Sequence, residues 1–474
     1  MASEIAMITA IERAAGVELT AEQKRAAETF ARFAASTDTH TVMLLRGAAG
    51  TGKTTLAGAV VRALAAMRVR TVLMAPTGRA AKVFSLNAGA PAFTIHRRIY
   101  RQKSAGATEG SDAAFSINYN KSRDTLFIVD EASMVAAHPQ ESAFGSGVLL
   151  DDLIQYVYSG ENCRLMLIGD TAQLPPVGEE ESMAMTADTL RGYGLTVMEA
   201  VLDEVLRQSA DSGILFNATV IRRMITRDRM TQLPKVRFEG FADISLVPGD
   251  ELIERLASSY SEVGEDETMV ITRSNKRANI YNLGIRNQIL GREEMLCGGD
   301  MIMVVKNHYI DAQEGNLAFI ANGDRAIVRR VRKDRELYGF HFADITISFP
   351  DYDNAEMEMT AVTDTLLSEA PALTRDQQQR LYERVMEDYA DIPKKSDRMT
   401  KLKSDRYYNA LQIKYAYAVT CHKAQGGQWE HVYVDQGYMT DEMLSNDYIH
   451  WLYTAFTRAR SRLFLINWPK TQTI

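Results

Sequence analysis

The sequence of 474 residues predicts an α/β protein with two parallel-sheet domains and a small β-barrel inserted within the second. Short apolar, β-branched runs bounded by Gly, Pro or Asp recur with helical patterns between them, as in parallel sheets. Between about residues 298 and 408 the pattern changes to antiparallel strands around an Asn-Gly-Asp turn, which favours a barrel. The runs typical of parallel strands are Thr71–Ala75, Leu126–Val129, Leu165–Ile168, Met269–Thr272, Val432–Val434 and Leu463–Ile466.

Length and composition limit the class of protein. A chain of 474 residues exceeds one ordinary domain, so we expect two or three units with their own cores. The net charge is −7, from 54 Lys+Arg against 61 Asp+Glu, so a groove for nucleic acid has to be built locally. Cys163, Cys297 and Cys421 show no metal spacing, which suits a reducing compartment. With no secretory leader pattern and no long apolar run, we expect a cytoplasmic protein that does not enter membranes.

A phosphate-binding loop follows the apolar run Thr41 to Leu45 and opens a helical pattern. Its residues are Gly47, Ala48, Ala49, Gly50, Thr51, Gly52, Lys53 and Thr54, followed by Thr55. The loop's backbone N–H groups would bind phosphates, Lys53 would add a point charge, and the Thr54 hydroxyl suits Mg²⁺. The alternative is a chance glycine-rich loop, but the strand before it and the helix after it favour an NTPase.

A pair of carboxylates ends the buried run Leu126–Val129. Asp130 would hold Mg²⁺, directly or through water, while Glu131 would orient and deprotonate the attacking water. An Asp-Glu pair by itself is equally typical of a solvated turn. The phosphate-binding loop in the same chain favours the catalytic interpretation.

The predicted barrel is followed by two charged segments. Thr374 to Tyr389 is typical of a helix that begins at a threonine cap, and Lys394 to Arg406 is a basic, linker-like run. Strand patterns of the α/β type resume near Ala416, which places the barrel inside the second domain.

Three further motifs make the pattern specific. Leu167 to Gly178 places Asp170 and Gln173 where they could reach a γ-phosphate, and the other two motifs are Tyr415 to Gly426 and Leu452 to Arg460. Together with the phosphate loop and the carboxylate pair, these motifs resemble the superfamily 1 helicases, specifically the RecD-like and Dda-like 5′-to-3′ DNA helicases. The resemblance extends from about residue 19 to residue 466 and is weakest within the barrel.

The resemblance implies two RecA-like P-loop motor domains that bind ATP and Mg²⁺ in the cleft between them. The barrel resembles the SH3-like domain of this family, and its helical extension would brace a β-hairpin pin that separates duplex strands. The implied bounds are 1–200 for the first motor domain, with the pin at about 101–123; 201–297 and 409–474 for the second; and 298–408 for the barrel with its extension.

The family's nucleotide-site roles carry over to five positions. Gln23 matches the glutamine that binds adenine, Gln173 the γ-phosphate sensor, and Gln425 a residue facing the cleft. Arg207 and Arg458 match two arginine fingers that would stabilise the phosphoryl-transfer transition state. The alternatives are an exposed helix-start residue for the first glutamine and a surface salt bridge for either arginine.

The family's strand contacts also carry over, and they use phosphates and base stacking rather than base edges. Thr77 would donate a hydrogen bond to a phosphate, and the wedge of the pin would be Phe115, with Tyr119 as second choice. A core histidine is the alternative for His96, and an ordinary exposed loop is the alternative for the pin. Gly427 stands where many relatives carry serine, which removes one expected strand contact. The matched positions are Pro76, Thr77, Gly78, Arg79, His96, Phe115, Thr420, His422 and Lys423.

The resemblance implies a monomeric motor that moves 5′ to 3′ on single-stranded DNA and unwinds forked or tailed duplex. A single-stranded-DNA-binding protein is an expected partner. Two alternatives stay open: an ATP-dependent nucleic-acid clamp or remodeller, and an RNA helicase, because RNA and DNA share phosphates and stacking faces. The motifs do not choose among replication, recombination and repair.

Overall fold

The computed structural model describes residues 4–102, 115–139, 144–204, 211–226, 232–309 and 319–474. Within these ranges, no helix combines the length and the apolar character that crossing a membrane requires.

The first domain is built on one parallel sheet. Its elements in chain order are α1 (Glu4–Ala15), α2 (Ala21–Ala35), β1 (Thr41–Gly47), α3 (Lys53–Ala66), β2 (Arg70–Ala75), α4 (Gly78–Ala88), β3 (Ala92–Thr94), α5 (Ile95–Ile99), β4 (Tyr100–Gln102), β5 (Phe115–Ile117), β6 (Thr125–Val129), α6 (Leu149–Tyr158), β7 (Arg164–Gly169), α7 (Ala187–Gly192) and β8 (Thr196–Leu202). The strand order in the sheet is β3-β2-β6-β7-β1-β8, and every pair is parallel. The parallel order brings the carboxyl ends of the strands to one edge.

The central strand β1 has a core on each side. Met43 and Leu45 pack in the cluster with α1, α2 and α3, whereas Val42 and Leu44 pack in the cluster with α5 and α6. Successive side chains of a strand point to opposite faces, so an unbroken apolar run indicates a sheet covered on both sides. Each fully buried Leu or Val contributes about 1.5–3 kcal/mol, and this packing fixes the loop after β1.

The hairpin insertion is represented by its base. Strand β4 pairs antiparallel with β5, and residues 103–114 between them lie outside the described residues.

The second domain is built on another parallel sheet. Its elements are α8 (Gly213–Thr226), β9 (Ile244–Val247), α9 (Leu252–Val263), β10 (Thr268–Thr272), α10 (Asn275–Gly284) and, after the barrel, β18 (Ala418–Thr420), α13 (Cys421–Ala424), β19 (Trp429–Asp435), α14 (Asn446–Phe456) and β20 (Ala459–Ile466). The strand order is β18-β10-β19-β20-β9, again all parallel. The fold class of two parallel α/β domains is therefore confirmed.

A closed barrel interrupts the second domain, as the change of pattern predicts. The elements of this region are β11 (Met301–Val304), β12 (His308–Tyr309), β13 (Phe319–Ile320), β14 (Arg325–Leu337), β15 (Phe340–Phe349), β16 (Ala355–Val362), α11 (Arg375–Glu387), α12 (Lys395–Lys403) and β17 (Leu411–Tyr415). The barrel consists of β11, β14, β15, β16 and β17, with β16–β17 its only parallel pair. The predicted Asn-Gly-Asp turn precedes β14, with φ +101° at Gly323, a value that favours glycine.

Two features of this region differ from the local patterns. Strand β17 closes the barrel, so the chain returns to the second sheet only after Tyr415, later than the expected boundary at 408/409. The basic run 394–406, expected to be linker-like, forms α12 because Leu402 and Met399 pack in the cluster of Phe340 and Phe342. The predicted threonine cap of α11 is present, since the Thr374 side chain accepts from the Gln377 N–H.

Candidate functional site

The phosphate loop joins β1 to α3. Gly50 and Gly52 both have φ +77°, which glycine adopts without a steric penalty. A side chain at Gly47 would lie 2.8 Å from the Leu202 carbonyl oxygen, so glycine is also needed where β8 approaches. The Lys53 ammonium donates to the carbonyl oxygens of Gly47, at 2.6 Å, and Ala48, at 2.8 Å. Lys53 therefore lies over the loop.

Gln23 braces this loop. Its side-chain oxygen accepts from the Thr20 N–H at 3.0 Å, and its amide nitrogen donates to the Thr51 carbonyl oxygen at 3.0 Å. The residue is buried. A contact with adenine through the same amide would exchange these bonds, so the adenine role stays a prediction.

The carboxylate pair lies at the end of β6. Asp130 is buried, and burial, followed by the charge of Glu131, raises the pKa of Asp130 to about 7. Glu131 has φ +52°, an uncommon value for a residue other than glycine, and its N–H donates to Asp130 Oδ1 at 2.9 Å. A divalent cation would favour the ionised carboxylate in this buried position. With Thr54 half-buried in the first turn of α3, the residues present fit ATP with Mg²⁺.

The third motif continues the site from β7. Asp170 is fully buried and accepts from the Ala172 N–H at 3.1 Å. Gln173 is 5% exposed, and its Oε1 atom has no hydrogen-bond partner among the described residues. A buried acceptor without a partner suits a site where a water or a ligand supplies the donor.

The second domain closes on this motif. Gln425 donates to the Leu174 carbonyl oxygen at 2.6 Å, and Thr454 Oγ1 accepts from the Leu174 N–H at 2.8 Å. From the same helix α14, the Tyr453 hydroxyl contacts both Ala49 and Asp170. The structure therefore brings the predicted glutamine to the third motif, and the last motif to both the third motif and the phosphate loop.

The two predicted arginine fingers have different outcomes. Arg458 is 2% exposed, and its guanidinium donates to the carbonyl oxygens of Thr454, at 3.0 Å, and Gly427, at 3.1 Å, and to Thr457 Oγ1. All of these acceptors belong to the second domain. Arg207 lies outside the described residues.

The predicted strand contacts of the two domains meet each other. Thr77 caps α4 by accepting from the Ala80 N–H, and a side chain at Gly426 would lie 2.9 Å from Thr77 Oγ1. Arg79 donates to the Gln428 carbonyl oxygen at 2.7 Å. The predicted strand residues that remain accessible are the half-buried Pro76, Thr77, Arg79, His96, Thr420 and Lys423 and the exposed His422.

The barrel covers part of this surface. Lys423 donates to Asn322 in the barrel turn, and a side chain at Gly78 would lie 2.5 Å from the Tyr352 hydroxyl oxygen. That hydroxyl donates to Asp324 at 2.9 Å, and burial raises the pKa of Asp324 to about 7. Gly78 is consequently buried rather than open to a strand.

His96 and Phe115 lie at the base of the hairpin. The ring centroids of His96 and Phe144 are 4.9 Å apart, and those of Phe115 and Phe144 are 5.0 Å apart. Burial lowers the pKa of His96 to about 4, so it is neutral at pH 7. Phe115 is 8% exposed, whereas Tyr119, the second choice for the wedge, is 69% exposed. The wedge and the histidine contact stay predictions.

Comparisons with known proteins agree with this arrangement. Residues 18–223 match the AAA domain, and residues 415–466 match the UvrD-like helicase C-terminal domain. The chain is 24% identical, over 445 residues, to the ATP-dependent RecD2 DNA helicase of Deinococcus radiodurans, which aligns with 90% of this chain. These matches support a superfamily 1 helicase of the RecD-like type. The chain spans 47% of that relative's length.

Two further similarities cover nearly the whole helicase. An uncharacterized protein of Acanthamoeba polyphaga mimivirus is 24% identical, over 91% of this chain and 96% of its own. The crystal structure of Bacteroides Pif1 bound to single-stranded DNA aligns with a TM-score of 0.48 and 16% identity, covering 97% of this chain and 94% of that one.

The glycine at position 427 has a structural reason. A side chain at Gly427 would lie 2.4 Å from the Trp429 ring. The indole therefore fills the space that a side chain at residue 427 would need.

Two residues of the helicase's cleft were not assigned a role from the sequence. Arg222 in α8 has Nε 3.8 Å from Asp170 and donates to Asp203 at 2.8 Å. No motif marked this arginine. Tyr453 lies inside the last motif, and that membership was the signal that could have found it.

Proposed function

We propose that this helicase couples ATP hydrolysis to 5′-to-3′ translocation on single-stranded DNA and to duplex unwinding. The observation that carries the proposal is that the same two domains meet at both predicted sites. Tyr453 and Thr454 reach the phosphate loop and the third motif, while Gly426 adjoins Thr77 on the predicted strand path. A change of domain spacing at one site therefore changes the other.

The chain supplies the parts that phosphoryl transfer needs. Bound ATP with Mg²⁺ would supply the transferable phosphoryl group. Thr54 and Asp130 would hold the cation, and Lys53 would move from its two carbonyl acceptors to phosphate oxygens. Glu131 would accept the proton of the attacking water at its carboxylate, with Gln173 positioning that water through its unpaired oxygen.

The arginines would respond to closure of the cleft. Arg458 holds a fixed charge, which favours it over lysine for contacts with phosphate. Its present acceptors are neutral carbonyl and hydroxyl oxygens. Because a phosphate oxygen is a stronger acceptor, reorientation towards the nucleotide is favourable. Arg207 would be the second finger.

Strand binding would depend on local charge, since the chain is acidic as a whole. Arg79, Lys423 and the Thr77 hydroxyl would contact phosphates, which gives grip without sequence readout. The name of the RecD2 relative favours DNA as the substrate, and the polarity rests on the family resemblance. Forked or tailed duplex is the proposed substrate, a single-stranded-DNA-binding protein a proposed partner, and a monomer the proposed active form.

The test is ATP-dependent unwinding of matched duplexes with either a 5′ or a 3′ single-stranded DNA tail, with Lys53→Ala as the control. We expect unwinding from the 5′ tail only, and none by the variant. Unwinding from the 3′ tail only would keep the helicase and reverse its polarity. DNA-stimulated hydrolysis without unwinding would favour the clamp, and stimulation by RNA but not by DNA would favour an RNA helicase.

A further inference from the structure

The Tyr453 hydroxyl is hydrogen-bonded to a backbone N–H group of the phosphate loop. It accepts a hydrogen bond from the Ala49 backbone N–H at 2.9 Å and donates one to Asp170 Oδ2 at 2.6 Å. The side chain is 1% exposed, and it reaches these groups from α14 of the second domain. The three residues thus form one link across the nucleotide cleft.

The direction of the two bonds is fixed by the groups involved. A backbone N–H can only donate and a carboxylate can only accept, so the hydroxyl proton points to Asp170 and a lone pair points to Ala49. Burial and the charge of Asp170 raise the pKa of Tyr453 well above its usual value, which keeps the proton on the hydroxyl. The Ala49 N–H therefore donates to a neutral acceptor.

An anionic phosphate oxygen is a better acceptor for that N–H. Hydrogen bonds to ionised acceptors are roughly twice as strong as bonds between neutral groups. Backbone N–H groups of such loops are the donors that hold nucleotide phosphates. A phosphate oxygen bound in this loop would therefore be a rival acceptor for the Ala49 N–H.

Asp170 keeps other partners if the tyrosine leaves. It also accepts from the Ala172 N–H at 3.1 Å, and Arg222 Nε lies 3.8 Å from its Oδ1 atom. Arg222 is itself held by Asp203. Loss of the tyrosine contact therefore does not leave an isolated buried charge.

We propose that Tyr453 is a positioning residue whose hydroxyl competes with a nucleotide phosphate for the Ala49 N–H. This exchange of acceptors breaks the contact between α14 and the phosphate loop. Binding of a nucleotide to the first domain therefore changes the contacts of the helix that precedes Arg458. This inference rests on the proposed ATP site and adds a residue that couples the site to the second domain.

The test is equilibrium binding of ADP and of a non-hydrolysable ATP analogue to wild type and Tyr453→Phe by calorimetry. The variant keeps the ring but leaves the Ala49 N–H unpaired only in the nucleotide-free state. Because a net hydrogen bond of this kind is modest, we expect at least one of the two nucleotides to bind about 2- to 10-fold more tightly.

The matched control is Tyr448→Phe. Tyr448 is a buried tyrosine of the same helix whose hydroxyl donates to Gln436 instead of meeting the phosphate loop. We expect the dissociation constants of this control to equal those of wild type. Melting temperatures with and without nucleotide serve as the second readout, and nucleotide should restore the Tyr453→Phe value towards wild type.

The outcomes separate the two proposals. Equal or weaker nucleotide binding by Tyr453→Phe, with normal binding by wild type, overturns the inference alone. An equal loss of melting temperature with and without nucleotide also overturns it, since that result marks a purely structural contact. Absence of nucleotide binding by wild type overturns the proposed function and this inference with it.

Discussion

Two junctions join the first and second domains, and they differ in how their polar groups are paired. At the nucleotide cleft, Tyr453, Thr454 and Gln425 make direct cross-domain hydrogen bonds of 2.6–2.9 Å. At the strand junction, where Thr77 and Arg79 meet Gly426 and Gln428, Arg79 also donates across the domains, but the residues around Trp429 leave several buried polar atoms without partners among the described residues. These atoms are Arg79 Nε, Arg325 Nε, Trp429 Nε1 and Glu267 Oε2.

The difference teaches which junction a ligand would change most. A buried polar atom without a partner costs about 1–3 kcal/mol. Arg79 and Arg325 both lie over the Trp429 ring, at 5.2 and 5.8 Å from its centroid, so their charges crowd one surface. A strand phosphate would supply an acceptor for the Nε atoms of these arginines, whereas Nη2 of Arg79 already donates to Gln428 and Glu267. The cleft has fewer such atoms, with Gln173 Oε1 and Arg222 Nε unpaired.

The largest effect is expected from a substitution in the nucleotide cleft. Lys53→Ala removes the point charge of the phosphate loop, so DNA-stimulated ATP hydrolysis should fall below about 1% of wild type. The melting temperature should change little, because Lys53 is half-buried and, among the described residues, donates hydrogen bonds only to loop carbonyl oxygens. Lys235→Ala, at an exposed position, is the control. Turnover above about 1% in Lys53→Ala would place catalysis elsewhere.

A second prediction concerns the carboxylate beneath the strand junction. The pKa of Asp324 is raised to about 7 by burial. Between about pH 4 and 7 the folded state therefore binds more protons than the unfolded chain, and stability from this group is lost as the pH rises. The free energy of unfolding should decline by at most about 1.4 kcal/mol per pH unit from this group.

Asp324→Asn should make that decline shallower. The melting temperature of the variant, measured against wild type, should therefore be higher at pH 8 than at pH 5. Melting curves of wild type and variant across this range measure the difference. Asp353→Asn replaces an exposed carboxylate nearby and should leave the profile unchanged. Parallel pH profiles of wild type and Asp324→Asn would show that the buried Asp324 does not contribute to the pH dependence of stability.

The smallest expected effect sharpens the role of Lys423. Burial lowers the pKa of Lys423 to about 8, so its charge is present at pH 7. Lys423→Ala should weaken single-stranded DNA binding a few-fold. The slope of the logarithm of the binding constant against the logarithm of the salt concentration should become shallower by about 0.7. ADP binding should be unchanged. Fluorescence anisotropy at several salt concentrations measures both quantities.

Lys423→Arg should restore the salt dependence, because it keeps the charge, while Lys235→Ala should resemble wild type. An unchanged salt slope in Lys423→Ala would show that Lys423 does not contact strand phosphates. The phosphate contacts at the strand junction would then come from its arginines.

Local patterns predicted much of the fold. The parallel strands at Leu126–Val129 and Met269–Thr272 and the capped helix at Thr374 have the expected type. The expected boundary at 408/409 places β17 in the second domain, whereas the strand pairs with β11 and β16 and belongs to the barrel. Helix α12 differs from the expected linker because its apolar residues join a cluster that includes Phe340 and Phe342 of the distant strand β15.

The sequence by itself determined the phosphate loop, the carboxylate pair and the alternation of strands and helices. These features depend on glycine conformations and on periodicities of two to four residues, which neighbours along the chain set. Only the tertiary structure decided that Tyr453 meets Ala49, 404 positions away, and that Arg79 meets Gln428, 349 positions away. It also decided that Phe115 is buried against Phe144. Such contacts depend on how separate cores pack, and local sequence carries no record of the partner.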